Sequence, residues 1–76
     1  MAKNFDKRFH KKFGQKVREL RIEKGLTQEE LSLEIGAANS YIGIIENAQR
    51  DIPLSKIQKI AKVLEVKISE LLNFED

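Results

Sequence analysis

No cysteine occurs in the 76 residues, so a disulfide framework is excluded and the redox compartment stays open. One histidine is present, His10. It has no second ligand at metal-like spacing, and it is read as a surface residue. No apolar run approaches membrane-spanning length, and the opening M-A-K-N-F-D-K lacks a signal-peptide core, which makes the cytoplasm the expected compartment. Also missing are a Gly-rich phosphate loop, a nucleophile beside a histidine and a cluster of metal ligands. The adjacent Glu29 and Glu30 serve capping and the helix dipole instead of acid–base chemistry. The chain is therefore not expected to be an enzyme, to carry a cofactor or metal, or to take a small-molecule ligand. Internal repeats, low-complexity tracts and linkers are absent too, so residues 1–76 read as a single domain. A domain of this size buries only about 60–65% of its unfolded surface, and its core is marginal unless a partner adds to it.

Net charge is scarce as well, at +2, too little to identify a nucleic-acid binder by itself. Its distribution says more. Residues 1–24 hold nine lysines and arginines against three acids, while residues 25–50 hold one against four. The positive charge is gathered on the first segment, although a charge-rich helix can equally be a solvated face.

What is present centres on Leu26 to Asn47. Thr27 with Glu30 three residues on makes a capping box, and Leu26, Leu31 and Ile35 then share a helical face. Gly36 suits a left-handed turn. A second helical period follows, with Ala38, Tyr41, Ile42 and Ile45 on one side and Asn39, Ser40, Gly43, Ile44 and Asn47 on the other. Two helices this short need the rest of the chain to cover them. Phe5, Phe9, Phe13, Val17 and Leu20 predict one long amphipathic helix from about Asn4 or Phe5 to Lys24, stopped by Gly25. After a turn at residues 51–53, with Pro53 in a helical first turn, Leu54, Ile57, Ile60, Ala61 and Leu64 predict another. Val66, Ile68, Leu71, Leu72 and Phe74 form a short apolar tail, more apolar than one monomer needs.

The string V-R-E-L-R-I-E-K-G-L-T-Q-E-E-L from Val17 to Leu31, with Y-I-x-x-I-E-N from Tyr41 to Asn47, resembles the XRE-type family of Cro and phage-repressor helix-turn-helix regulators. I-x-K-I-A-K-V-L-E-V and I-S-E-L-L extend the match through Leu72. The resemblance implies an all-α, compact five-helix repressor-like domain with its motif at about 27–47, here with the first helix extended at its N-terminus. It implies binding to double-stranded operator DNA as a homodimer. Asn39, Ser40 and Ile44 match the family's base-reading positions, and Gly43 between them would allow close approach. Asparagine pairs with adenine and methyl groups meet the thymine methyl, whereas this face has no Arg, Lys or Gln for guanine.

Backbone contacts fall to Thr27, Gln28, Asn47, Gln49 and Arg50, with the first helix's N-cap region and lysines nearby. Arg21 is implied to pair with Glu46, since a partly buried carboxylate needs a cation. The final helix is implied to join the dimer through Ile68, Leu71, Leu72 and Phe74 (about 66–74), with Phe5 and Phe9 as the rival location. Three positions depart from the family pattern. Ala38 stands in place of a capping Ser or Thr, which would move the cap to Asn39. Ser32 replaces the usual alanine, and Ala48 the usual glycine.

Three functions remain open. One is a stand-alone transcription regulator, similar in length to restriction–modification controller proteins and small phage repressors. Another is an antitoxin that represses its own operon. The third is a protein-interaction module that keeps the fold without reading DNA.

Overall fold

The computed structural model describes residues 6–74. Those residues form five helices and no strand: α1 Lys7–Lys24, α2 Gln28–Glu34, α3 Tyr41–Glu46, α4 Leu54–Leu64 and α5 Ile68–Leu71. The all-α expectation holds, with the first helix the longest at 18 residues. Its expected beginning at Asn4 or Phe5 lies outside the described residues, but α1 itself starts one residue after a cap. The Asp6 carboxylate accepts the Phe9 N–H at 3.2 Å, satisfying one of the amides that a helix start leaves orphaned. Among the described residues no helix is long and apolar enough to cross a membrane.

Each of the first four helices ends in the same way. The residue after the last turn adopts a left-handed conformation, and its own amide and the next one donate back to helix carbonyls. Gly25 and Gly36 take this position without strain, but so do Ala48 at φ 55° and Glu65 at φ 62°. A side chain in that region costs roughly 1–2 kcal/mol. At Ala48 the methyl is fully buried, and that apolar burial offsets part of the cost.

The core is built from Phe13 and Val17 of α1, Leu31 and Ile35 of α2, Tyr41, Ile42 and Ile45 of α3, and Ile60, Ala61 and Leu64 of α4. The spacings read from the sequence therefore select the right faces of these helices. Four expectations are corrected. Ala38 is exposed, because the helix starts later than its period suggests and the residue sits in the turn. Leu54 is 62% exposed, since as the first residue of α4 it lies beyond the edge of the packed layer. Pro53 is the N-cap of α4 and not part of its first turn. Leu71, assigned to a dimer contact, is fully buried in the monomer.

His10 is the fifth correction. Instead of lying on the surface it is only 8% exposed. Its Nδ1 lies 2.7 Å from the Asp6 carbonyl and its Nε2 2.8 Å from Asp51 Oδ1. Both ring nitrogens thus lie within hydrogen-bond distance of an oxygen, one from its own helix start and one from a residue 41 positions on. The Asp51 carboxylate, hydrogen-bonded by His10 and by the Ile52 amide, is held below the ordinary aspartate range. This contact ties the start of α1 to the loop that leaves α3.

Gly14 decides how closely α1 approaches α3. A Cβ there would sit 2.6 Å from the Glu46 carbonyl oxygen and 2.8 Å from that of Ile45. Real carbon atoms do not approach carbonyl oxygens so closely, so only glycine lets α1 rest directly on the α3 backbone.

Candidate nucleic-acid interface

Helices α2 and α3 are joined by the turn at residues 35–40 and packed face to face. The α2 start is fully capped. Glu30 N–H donates to Thr27 Oγ1 at 3.0 Å, and Thr27 N–H donates to Glu30 Oε1 at 2.8 Å.

The start of α3 is capped differently from the expectation at Asn39. Ser40 precedes the helix and makes no side-chain cap bond. The cap comes from the other helix. Ser32 Oγ donates to the Gln28 carbonyl at 2.8 Å and accepts the Ile42 N–H at 3.0 Å, and the residue is fully buried. Two departures from the family pattern thus compensate each other. The hydroxyl missing at Ala38 is supplied at Ser32, where it also pins α3 to α2. Ser32→Ala should therefore destabilise the fold by about 1–3 kcal/mol, the cost of leaving a buried N–H without a partner. Ala38→Ser added to that variant should recover part of the loss in urea melts. Equal stability of Ser32→Ala and the parent chain would show the bond to be idle.

Behind α3, Arg21 and Glu46 meet as a forked pair. Arg21 Nε donates to Glu46 Oε2 at 2.7 Å and its Nη2 to Oε1 at 3.1 Å. A third donor, Nη1, reaches the Leu26 carbonyl at 2.8 Å. The two side chains are 10% and 3% exposed. Gln28 joins them: its Nε2 donates to Glu46 Oε1 at 3.0 Å. To do so it lies across Gly43, whose missing Cβ would sit 3.1 Å from Gln28 Oε1. Gly43 thus serves an internal contact as well as an open outer surface, and the Gln28 amide is turned inward toward Glu46.

The outer face of this unit is polar and, apart from Arg50 at its edge, uncharged. Asn39, Ser40, Asn47, Gln49 and Arg50 are all exposed, and Gly43 and Ile44 are half-buried. Asn39 and Ser40 belong to the turn entering α3, and Ile44 lies on the helix itself. Thr27 is exposed, with its hydroxyl engaged in the capping box. Beneath this face the Tyr41 hydroxyl is buried with no hydrogen-bond partner among the described residues. Burial, aided by Asp51 and opposed by Arg50, pushes the phenol above its usual range. At the far end of the domain Lys24 pairs with Glu65, which holds that carboxylate below the usual glutamate range.

The tail gives a divided result. Leu71 belongs to the core, but Leu72 is 40% exposed, and Ile68 and Phe74 are half-buried. Phe9, itself 38% exposed, packs on Phe74 with ring centroids 5.4 Å apart. The two candidate locations for assembly, Phe9 and the tail, thus form one continuous surface. Phe5 lies outside the described residues.

Ser32, Gly14 and His10 were the positions that sequence reasoning undervalued. An isolated glycine between core Phe13 and Val17 is itself a signal of close packing. Nothing local marks the other two, because their partners lie 10 and 41 residues away.

A helix pair locked behind its second member, with that member's outer face left polar, defines a helix-turn-helix unit. The chain belongs to the helix-turn-helix family of DNA-binding transcription regulators, whose model matches residues 17–71. It is similar to control protein C.BamHI of Bacillus amyloliquefaciens, 43% identical over 82% of this chain and 78% of that one. Control protein C.MunI of a Mycoplasma species is 36% identical over 82% of this chain and 85% of its own length. Among solved structures, the restriction-modification controller protein C.AhdI from Aeromonas hydrophila superposes with a TM-score of 0.79. It is 45% identical, and the match covers 82% of this chain and 94% of that one.

Proposed function

We propose that the chain acts as a homodimer that reads a palindromic operator through α3 and regulates transcription of a restriction–modification operon. The carrying observation is the outer face of the α2–α3 unit. Asn39, Ser40, Gly43 and Ile44 form a small, polar and methyl-bearing surface, held rigid from behind by Arg21, Glu46 and Ser32. Such a face suits a major groove, where amide groups address adenine and methyl groups address thymine. The names of the relatives C.BamHI, C.MunI and C.AhdI favour the restriction–modification setting over a phage repressor. Thr27, Asn47, Gln49 and Arg50 are assigned to the flanking phosphates. Gln28 joins them through its backbone, since its side chain is engaged with Glu46. The protein binds and does not catalyse, and its setting is the cytoplasm.

Sequencing the genome fragments retained by the protein identifies the operator. On that operator Asn39→Ala and Ile44→Ala should each lower specific affinity by about 1–3 kcal/mol while sparing random duplex. Log affinity should fall with log salt at roughly −0.9 per phosphate neutralised. A flat salt response would count against DNA binding altogether. Equal losses on specific and random DNA would mark the two side chains as structural.

A further inference from the structure

We propose that His10 is a positioning residue for DNA binding: through Asp51 it holds the loop at residues 47–53, and with it Arg50, in place beside α3. This rests on the DNA-binding reading above, in which Gln49 and Arg50 meet the flanking phosphates, and it adds a residue that itself touches no DNA.

One face of α1 runs alongside α3 and its exit. His10, Gly14, Val17 and Arg21 recur at helical spacing, so they share that face, and all four are buried. Its far end is fixed by Arg21 on Glu46. Its middle is fixed by Gly14, which lies against the carbonyls of Ile45 and Glu46. One turn earlier His10 reaches past the end of α3 to Asp51, with Nε2 2.8 Å from Oδ1. The imidazole is held on other sides as well. Its Nδ1 lies 2.7 Å from the Asp6 carbonyl, and the Phe9 ring meets it edge-on with centroids 5.5 Å apart.

The loop needs such a hold. Helix α3 ends at Glu46 and α4 begins at Leu54. The Gln49 amide still donates to the Ile44 carbonyl at 3.1 Å, and Ile52 is anchored by burial. Between these two anchors Arg50 and Asp51 are exposed. The Asp51 carboxylate braces the gap, because Oδ1 accepts the Ile52 amide at 2.9 Å while it faces His10. Charge placement agrees. The Asp51 side chain is 75% exposed, and a carboxylate next to Arg50 repels phosphate. A loop built only to attract DNA has no use for it there, whereas a loop that must keep one shape does. A loop held in shape before binding spares ordering cost on binding.

The test is a mutant cycle on operator affinity, measured with the full chain well below its melting temperature. Asp51→Asn removes the charge and keeps an acceptor for His10; Asp51→Ala removes both. The side chain is 75% exposed, so neither change opens a cavity. With Arg50 in place, Asp51→Ala should bind the operator about three- to tenfold more weakly than Asp51→Asn, which is what one hydrogen bond is worth in an equilibrium constant. His10→Phe, which keeps a ring and removes both nitrogens, should bind more weakly than the parent by a similar factor. In chains that also carry Arg50→Ala both differences should largely vanish, since the group being positioned is gone. Losses of the same size with and without Arg50 would make the contact merely structural and overturn the proposal. So would equal binding by the two Asp51 variants, or parent affinity in His10→Phe. A parent chain with no salt-dependent binding to duplex DNA would instead overturn the DNA reading, and the proposal with it.

Discussion

Arg21→Ala is expected to destabilise the domain by about 3–5 kcal/mol, and Glu46→Ala by a similar amount, the usual loss when one member of a buried ion pair is left uncompensated. The magnitude follows from the surroundings. The Glu46 side chain is 3% exposed, so its carboxylate has no water to fall back on once the guanidinium is gone. Gln28 offers a single neutral donor in return. Removing Glu46 strands the fork of Arg21 in the same way, with only the Leu26 carbonyl left to receive it.

The double variant should lose less than the sum of the singles, because each single loss contains the penalty of a stranded charge. Urea melts of the four proteins measure this directly, and strictly additive losses would exclude a coupled pair. Replacing Arg21 with lysine should not restore stability. A lysine ammonium cannot reproduce a fork that addresses Glu46 with two nitrogens and Leu26 with a third. Since Glu46 ends α3, these variants should also weaken operator binding in proportion to the folded fraction that disappears.

Leu71→Ala and Leu72→Asp are expected to fail in opposite ways, although the residues are neighbours. Leu71 is fully buried, and truncating a buried leucine costs about 2–5 kcal/mol through reduced burial and the cavity left behind. That is a large share of the stability of so small a domain. Leu72 is 40% exposed, so Leu72→Asp should leave the melting curve of the monomer nearly intact. Its effect should appear in assembly instead. If the proposed homodimer joins through Leu72, Ile68, Phe74 and Phe9, a carboxylate at this position is buried opposite its own symmetry copy. Sedimentation velocity should then show a monomer, and operator binding should lose its tight phase. Each protomer alone reads only one of two half-sites spaced about 34 Å apart. A Leu72→Asp chain that still sediments as a dimer would place the interface elsewhere. A Leu71→Ala chain as stable as its parent would contradict the burial of that side chain.

The contrast between these two leucines shows what kind of information the chain carries in plain view. Local rules sufficed wherever a residue's role depends on its near neighbours in sequence. The four-residue spacing of Phe9, Phe13 and Val17 made α1 visible, the T-x-x-E box placed the start of α2, and Gly25 and Gly36 marked the stops. The resemblance of the residue string from Val17 onward added the architecture and the α3 face.

Tertiary structure decided everything that depends on a partner far along the chain. His10 reads as a solitary surface histidine until the fold brings Asp51 to its ring. Ser32 and Ala38 read as two separate departures until α2 and α3 pack and one hydroxyl serves both helices. Leu71 and Leu72 are indistinguishable by composition or by their place in an apolar tail, and only the fold separates them, with Leu71 closing the four-residue α5 against the core and Leu72, its C-cap, turned outward. Gly14 became necessary only once α1 lay on the carbonyls of α3. The sequence by itself therefore determined the helices, their apolar faces and the family. Which polar groups are satisfied, and by whom, was left to packing, because a buried hydrogen bond is defined by geometry in three dimensions and leaves no periodic trace in one.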